Sequence, residues 1–176
     1  SRFLHKNGTF LSDFYSILVM YLTDVQWLEK KKPRQRPLIS LHINGAGDGT
    51  KWMNATGWSC YTCKGQTESD RIADCLYKAA EQILKNQVIR TDYARDGDPD
   101  WEENFYILRH SFCPAVLTEN FFMDSPSDQD YLQSEAGKRA IMDTHIEGIE
   151  LFLKLAKFVF MLSSAFFSAF INSQRH

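Results

Sequence analysis

The chain has no second pair of closely spaced cysteines. Of Cys60, Cys63, Cys75 and Cys113, only the first two share a Cys-x-x-Cys spacing, in SCYTCKG. That count excludes a four-thiolate zinc site. On a strand these two would also face opposite sides of a sheet, so structural thiols are the simplest reading, with a redox or metal role as the alternative. An even number permits disulfides without requiring them. Positive charge is not in excess either: 20 Lys and Arg stand against 22 Asp and Glu, a formal net charge of -2. No broad basic field is available to hold nucleic-acid phosphates, and no nucleic-acid partner is expected. Long apolar runs are missing as well. FVFMLSSAFFSAFI, Phe158 to Ile171, carries no charge for 14 residues, short of the ~20 that span a bilayer. It reads as a buried terminal helix or a loose tail, with a membrane-surface or partner-binding helix as the alternative. SRFLHKNGTF lacks the basic, apolar and small-residue succession of a signal peptide, and it lacks an initiating Met, so the start can lie upstream.

What is present is enough apolar material for a core. With 176 residues, 44% hydrophobic and 24% charged, the chain falls in the size range of one globular domain. Three zones differ in character. Residues 1–36 form a divergent N-terminal segment: FLSDFYSILVMYLTDVQWLEK suits one buried helix, and KKPRQRP is a basic, solvated connection closed by Pro37. Residues 37–157 alternate short apolar runs with amphipathic ones, the pattern of an α/β domain whose mostly parallel or mixed sheet is flanked by helices. PLISLHI, GWSCYT, FYILRH and PAVLTE read as strands buried on both faces. SDRIADCLYKAAEQILK places Ile72, Leu76, Ala79 or Ala80, and Ile83 on one helical face, and residues 137–157 place Ile141, Ile149, Phe152, Leu153 and Ala156 on another. Residues 158–176 are the apolar tail.

Two strand tips carry chemistry. LISLHINGAGDG ends an apolar run at His42 and follows it with Asn44 and three glycines. A neutral imidazole there suits metal ligation, while the glycines let backbone approach a substrate; a core histidine satisfied by a carbonyl is the alternative. PAVLTENFFMD sets Glu119 among Val116, Leu117, Phe121 and Phe122. Such surroundings raise a carboxyl pKa and can poise it as a general base or acid. A surface glutamate, or a buried pair with Arg109 or Lys51, would be the bland reading. RTDYARDGDPDWEEN, with Tyr93 and Trp101, is either a ligand loop or a solvated connection. His145 lies among apolar neighbours on its helix and reads as a satisfied core histidine, whereas His110 could reach a substrate from the end of its strand.

Taken in order, these segments resemble the zinc-dependent N-acetylmuramoyl-L-alanine amidases, which cleave peptide stems from peptidoglycan glycan. LISLHINGAG is similar to that family's Ser-x-His-x-Asn strand. ILRHSFCPAVLTENFFMDSPSDQDYL is similar to its Pro, apolar strand and catalytic Glu, and AIMDTHIEGI to its closing helix. GTKWMNATGWSCYTCKGQT and DYARDGDPDWEENFYIL resemble phage- and Bacteroides-like members. The resemblance covers Pro37 to Leu155. It implies an amidase-like fold with Zn2+ as cofactor, His42 as a metal ligand and Glu119 as general acid/base. Asn44 of the strand segment is expected to bind substrate, as is His110, which matches no motif of the family and is placed in the cleft by its strand end alone; the resemblance implies that the acidic aromatic loop lines the cleft. Peptidoglycan is the implied partner, in a cell-envelope or phage-lysis setting. The family's Asp-x-Gly-His-Gly loop and the Glu ligand on the helix after it have no counterpart here; His5 and Glu29 are the only upstream pair in the same order. The alternatives are an inactive or truncated relative that binds wall peptides, and an interaction or membrane-docking protein working through its apolar termini.

Overall fold

The computed structural model describes residues 37–173, with side chains as far as Leu155. The helix expected before Pro37, His5, Glu29 and the side chain of Ala156 lie outside the described residues. Four strands form one mixed sheet: β1 (Leu38–Asn44), β2 (Trp58–Thr62), β3 (Trp101–Glu102) and β4 (Ala115–Phe122), in the order β1-β4-β2-β3. β1 runs parallel to the central β4, β2 runs antiparallel to it, and β3 runs parallel to β2. Every residue of β2 is buried, and every residue of β4 except Glu119. That is what the unbroken apolar runs require of strands covered on both sides.

Helix α1 (Glu68–Ile83) starts where TESD supplies a capping box: Thr67 Oγ1 accepts from the Ser69 amide at 3.1 Å, and the Asp70 carboxylate accepts from the Thr67 amide. Its buried face includes Ile72, Leu76, Ala79 and Ala80, while Ile83 is half-buried. Helix α5 (Glu135–Ser173) packs against it through Ile141, Ile149 and Phe152. The crossing is close because Gly148 has no side chain; a Cβ there would lie 2.6 Å from Leu76 Cδ2 and 3.0 Å from its Cα. These helices cover the face of the sheet formed by Trp58, Cys60, Val116 and Thr118. Trp58 meets Tyr77 edge-on at 5.0 Å, and Tyr77 Oη donates to the Arg90 carbonyl while accepting from the Cys60 amide. Burying each large apolar side chain of this layer contributes roughly 1.5–3 kcal/mol. On the other face Tyr61, Leu108, Ala115 and Leu117 cluster with Leu38, Cys63 and Trp101. All four cysteines are free thiols, with Cys60 and Cys75 in the core.

One expected strand is a helix. FYILRH folds into α3 (Tyr106–His110), because Leu108 alone among those residues has a core to fill. Tyr106 is 73% exposed and Ile107 is 40% exposed, so a strand buried on both faces has no support in this run. The helical turn instead stacks His110 on Tyr106 at 4.0 Å, with the His110 Nδ1 3.0 Å from the Tyr106 carbonyl. The remaining sheet strand, β3, is two residues inside the acidic loop, after the short helix α2 (Tyr93–Asp96). Helix α4 (Pro126–Gln133) follows β4, and α5 continues through residues 158–173. Among the described residues no helix is long and apolar enough to cross a membrane.

Candidate active site at the end of the central strand

His42 and Glu119 are register partners across the parallel β1/β4 pair, and Ser59 of β2 is the partner of Glu119 on its other side. Residues side by side in register share a face, with adjacent backbones about 4.8 Å apart. The two strand tips therefore bring the imidazole and the carboxyl together. Glu119 is half-buried, and its Oε2 is enclosed without a hydrogen-bond partner among the described residues. Burial alone pushes its pKa up to about 7. A cation alongside would pull it down; the ion pairs of the described residues are Arg71–Glu68, Arg95–Glu102, Lys138–Glu135 and Lys154–Glu150. The pairing of Glu119 with Arg109 or Lys51 is thus not formed. His42 is exposed, and partial burial of its ring lowers its pKa, which favours the neutral imidazole. Its Nε2 lies 2.9 Å from Ser40 Oγ, which occupies one ring nitrogen and leaves Nδ1 for another partner.

Just past Glu119 the strand is distorted. His42 pairs with Glu119 but Asn44 pairs with Phe122, so β4 carries one residue more than β1 across this interval. The extra residue is absorbed at Phe121, whose φ of 65° is left-handed and whose ring is fully buried against Tyr131. Such a bulge turns the strand tip and costs of order 1–3 kcal/mol, a pattern common beside active sites.

The residues flanking Glu119 point to the opposite face and are saturated with hydrogen bonds. Trp58 Nε1 donates to Asn120 Oδ1 at 2.9 Å; Asn120 Nδ2 donates to the His42 carbonyl at 3.0 Å and to Thr118 Oγ1 at 3.1 Å. Thr118 Oγ1 lies 2.9 Å from His145 Nε2, and His145 Nδ1 lies 2.7 Å from the Ile141 carbonyl. The carbonyl can only accept, so Nδ1 carries the proton and Nε2 accepts from the threonine. Burial holds His145 neutral, with a pKa of about 4. It is a satisfied core histidine, and the network fixes the backbone on which His42 and Glu119 stand.

Two aspartates fix the loops around the tips. Asp124 accepts from the amides of Ala46 and Gly47, at 2.9 and 2.7 Å. Asp128 accepts from Thr56 Oγ1 and from the amides of Gly57 and Phe122. Asn44 turns its Oδ1 back onto the Gly45 amide at 2.8 Å, so it shapes the glycine loop beside His42. His110 is not at a strand end. It closes α3 ahead of β4, while Glu119 lies four residues into that strand from Ala115, about 13 Å along it. The acidic stretch of the Tyr93–Trp101 loop is likewise directed elsewhere: Asp100 bonds Thr62, three residues along β2 from the partner of Glu119. Among the described residues the group of carboxylates able to share a metal ion is Asp70, Asp98 and Asp100, and it includes neither His42 nor Glu119. Asp124, Asp128 and Asn120 were not singled out in the sequence. The Ser-Pro helix start after Asp124 is the one local signal near them.

Comparison with known proteins bears on the family and the fold. The chain is 39% identical over 120 residues to the sporulation-specific N-acetylmuramoyl-L-alanine amidase of Bacillus subtilis (strain 168), covering 68% of this chain and 41% of that protein. It is 30% identical over 120 residues to N-acetylmuramoyl-L-alanine amidase CwlM of Bacillus licheniformis, with the same coverage, 68% and 41%. The chain thus spans about two-fifths of the length of the curated relatives it matches. Its fold is similar to the crystal structure of N-acetylmuramoyl-L-alanine amidase from Clostridium difficile 630, with a TM-score of 0.57 and 24% identity over 67% of this chain and 57% of that one. The family described as N-acetylmuramoyl-L-alanine amidase matches residues 26–151, and the chain belongs to that family.

Proposed function

We propose that this chain hydrolyses the amide between N-acetylmuramic acid and L-alanine in peptidoglycan, with zinc as cofactor. The observation that carries the reading is the Glu119 carboxyl: enclosed, unpartnered at Oε2, held near pKa 7 by burial, and beside the His42 imidazole. A group poised near the working pH can take a proton and return it within one turnover. Glu119 Oε2 accepts the proton of the attacking water and delivers it to the departing amine of L-alanine. His42 fits one ligand of a zinc ion through Nδ1, the nitrogen that Ser40 leaves open. No third donor stands with this pair among the described residues, so these two fit one ligand and the base. When bound, zinc supplies Lewis-acid polarisation of the carbonyl and an acidified water. The loop pinned by Asp124 presents backbone at Ala46 and Gly47 rather than bulky side chains, so a peptide stem can approach His42 closely. Asn44 contributes by holding that loop, and His110 has no part in this reading.

The test is zinc content and product chemistry on the purified chain, with His42→Ala and Glu119→Gln alongside. The expected result is about one zinc per chain, lost in His42→Ala, with new L-alanine amino termini released from peptidoglycan by the parent and not by Glu119→Gln. Absence of both zinc and new amino termini in the parent overturns the catalytic reading and leaves a relative that at most binds wall peptides.

A further inference from the structure

A second cluster of ionisable groups lies at the other end of the sheet. Asp70 of α1 and Asp98 and Asp100 of the loop before β3 each offer a carboxylate oxygen, and the three oxygens lie within 4.8 Å of one another. Like charges so close are costly in a protein interior unless something neutralises them. The neighbouring side chains do not. Thr62 Oγ1 has one proton and gives it to Asp100 Oδ2 at 2.6 Å, leaving its 3.4 Å approach to Asp70 Oδ1 without a donor. Gln66 Nε2 donates to Asp98 Oδ2 at 2.6 Å, and Thr67 satisfies Asp70 Oδ2. Arg95, the nearby cation, is spent on Glu102, 3.7 Å from its carboxylate and 2.8 Å from its carbonyl.

An observation independent of the clustering points to a ligand. Asp100 is fully buried, with 0% of its surface exposed, yet among the described residues its Oδ1 has no hydrogen-bond partner, and Asp98 Oδ1 is enclosed and unpartnered in the same way. Buried oxygens of this kind are rare in folded proteins unless a water or ion meets them. Burial first, then the charges of Asp98, Asp70 and Asp96, oppose ionisation of Asp100.

We propose that Asp70, Asp98 and Asp100 bind one hard divalent cation, calcium or magnesium, that ties the start of α1 to the loop leading into β3. Donors made only of oxygen select calcium or magnesium over zinc. Three carboxylate oxygens within 4.8 Å of one another are close enough to share one such ion. The site is structural. Thr62 lies three residues beyond Ser59, the partner of Glu119, about 10 Å along β2, so the ion would stand apart from His42 and would not depend on the catalytic reading.

The experiment is calorimetric titration of the metal-stripped full chain with calcium chloride, and in parallel with magnesium chloride and zinc chloride, together with the thermal midpoint in each salt. The expected result is one equivalent of calcium or magnesium bound, with a higher thermal midpoint in that salt. Binding should be unchanged in His42→Ala and weakened at least tenfold in Asp98→Asn. Asp98 is less buried than Asp100, so this variant keeps the fold; Asp100→Asn, which retains an acceptor for Thr62, serves as the second. Absence of both calcium and magnesium binding by the parent overturns the proposal, as does binding that survives both Asp variants. Zinc bound more tightly than either by His42→Ala overturns the assignment of a hard cation.

Discussion

Adjacent residues of β4 are treated in opposite ways. Thr118 and Asn120 face α1 and α5, and every polar atom they present there is engaged in the chain running from Trp58 to His145 and Ile141. Glu119, between them, faces the other side with an enclosed oxygen that meets no hydrogen-bond partner among the described residues. One face is saturated with hydrogen bonds and the other keeps an open acceptor. The difference teaches that this strand spends its hydrogen-bonding capacity on fixing its backbone and leaves Glu119 unengaged, which under the proposed function is the arrangement a preorganised base requires. If that division is real, changes to Glu119 alter activity far more than stability, and changes to its neighbours do the reverse.

The largest effect is expected at Glu119 itself. Glu119→Gln keeps the shape of the side chain and removes the proton acceptor, so kcat/KM for release of L-alanine amino termini should fall by about 10²- to 10⁴-fold, while the thermal midpoint at neutral pH stays the same or rises. A variant that loses stability in step with activity would remove the distinction between the faces. Next comes Asn120→Leu, which is similar in volume but strands the Trp58 indole N–H and the His42 carbonyl. With buried unsatisfied groups costing about 1–3 kcal/mol each, denaturant titration should show a loss of about 3 kcal/mol. A loss below about 0.5 kcal/mol would mean that the network is dispensable.

The closed face can be probed sterically as well. Gly148→Ala drives a methyl group into Leu76 and should cost about 1–3 kcal/mol by overpacking, partly offset by about 1 kcal/mol of helix propensity. Gly45→Ala, on the open edge, meets nothing within 4 Å and should leave stability within about 0.5 kcal/mol of the parent. Equal costs at the two glycines would deny that one side of the sheet is packed more tightly than the other.

How much of this was legible beforehand follows the physics of each segment. The apolar runs of β1, β2 and β4 and the amphipathic patterns of α1 and α5 declare themselves, because burial on a sheet or on one helical face imposes a period that the sequence must carry. FYILRH did not, since four consecutive apolar or aromatic residues fit either period and only the exposure of Tyr106 and Ile107 decides between them. At the site, His42 and Glu119 were visible as polar residues ending apolar runs. The residues that hold them were not. Asp124 reaches back 77 and 78 positions to Gly47 and Ala46, and Asn120 reaches 78 to His42, distances over which no local pattern operates. Asp70 and Asp98 come together in the same way, one from a helix start and one from a loop that was read as cleft lining.

The most specific effect is in the pH dependence of stability. Glu119 has a pKa of about 7 in the folded protein against an ordinary value of 4.5. Below about pH 4.5 the carboxyl is protonated in both the folded and the unfolded chain. Between there and about pH 7 the unfolded chain releases this proton while the folded one keeps it, so the unfolded state gains and stability falls as pH rises; above about pH 7 the contribution is constant. Gln cannot titrate. The difference in thermal midpoint between Glu119→Gln and the parent should therefore be small at pH 4, widen through pH 7 and then level off, with the variant the more stable. Asp100, raised to about 7 as well, and His145, lowered to about 4, shape the curves of both proteins and cancel in the difference. Metal-free buffer keeps any ion from supplying the missing partner. A difference that is flat in pH would mean that Glu119 is solvated like an ordinary surface glutamate, and the contrast between the two faces of β4 would then vanish.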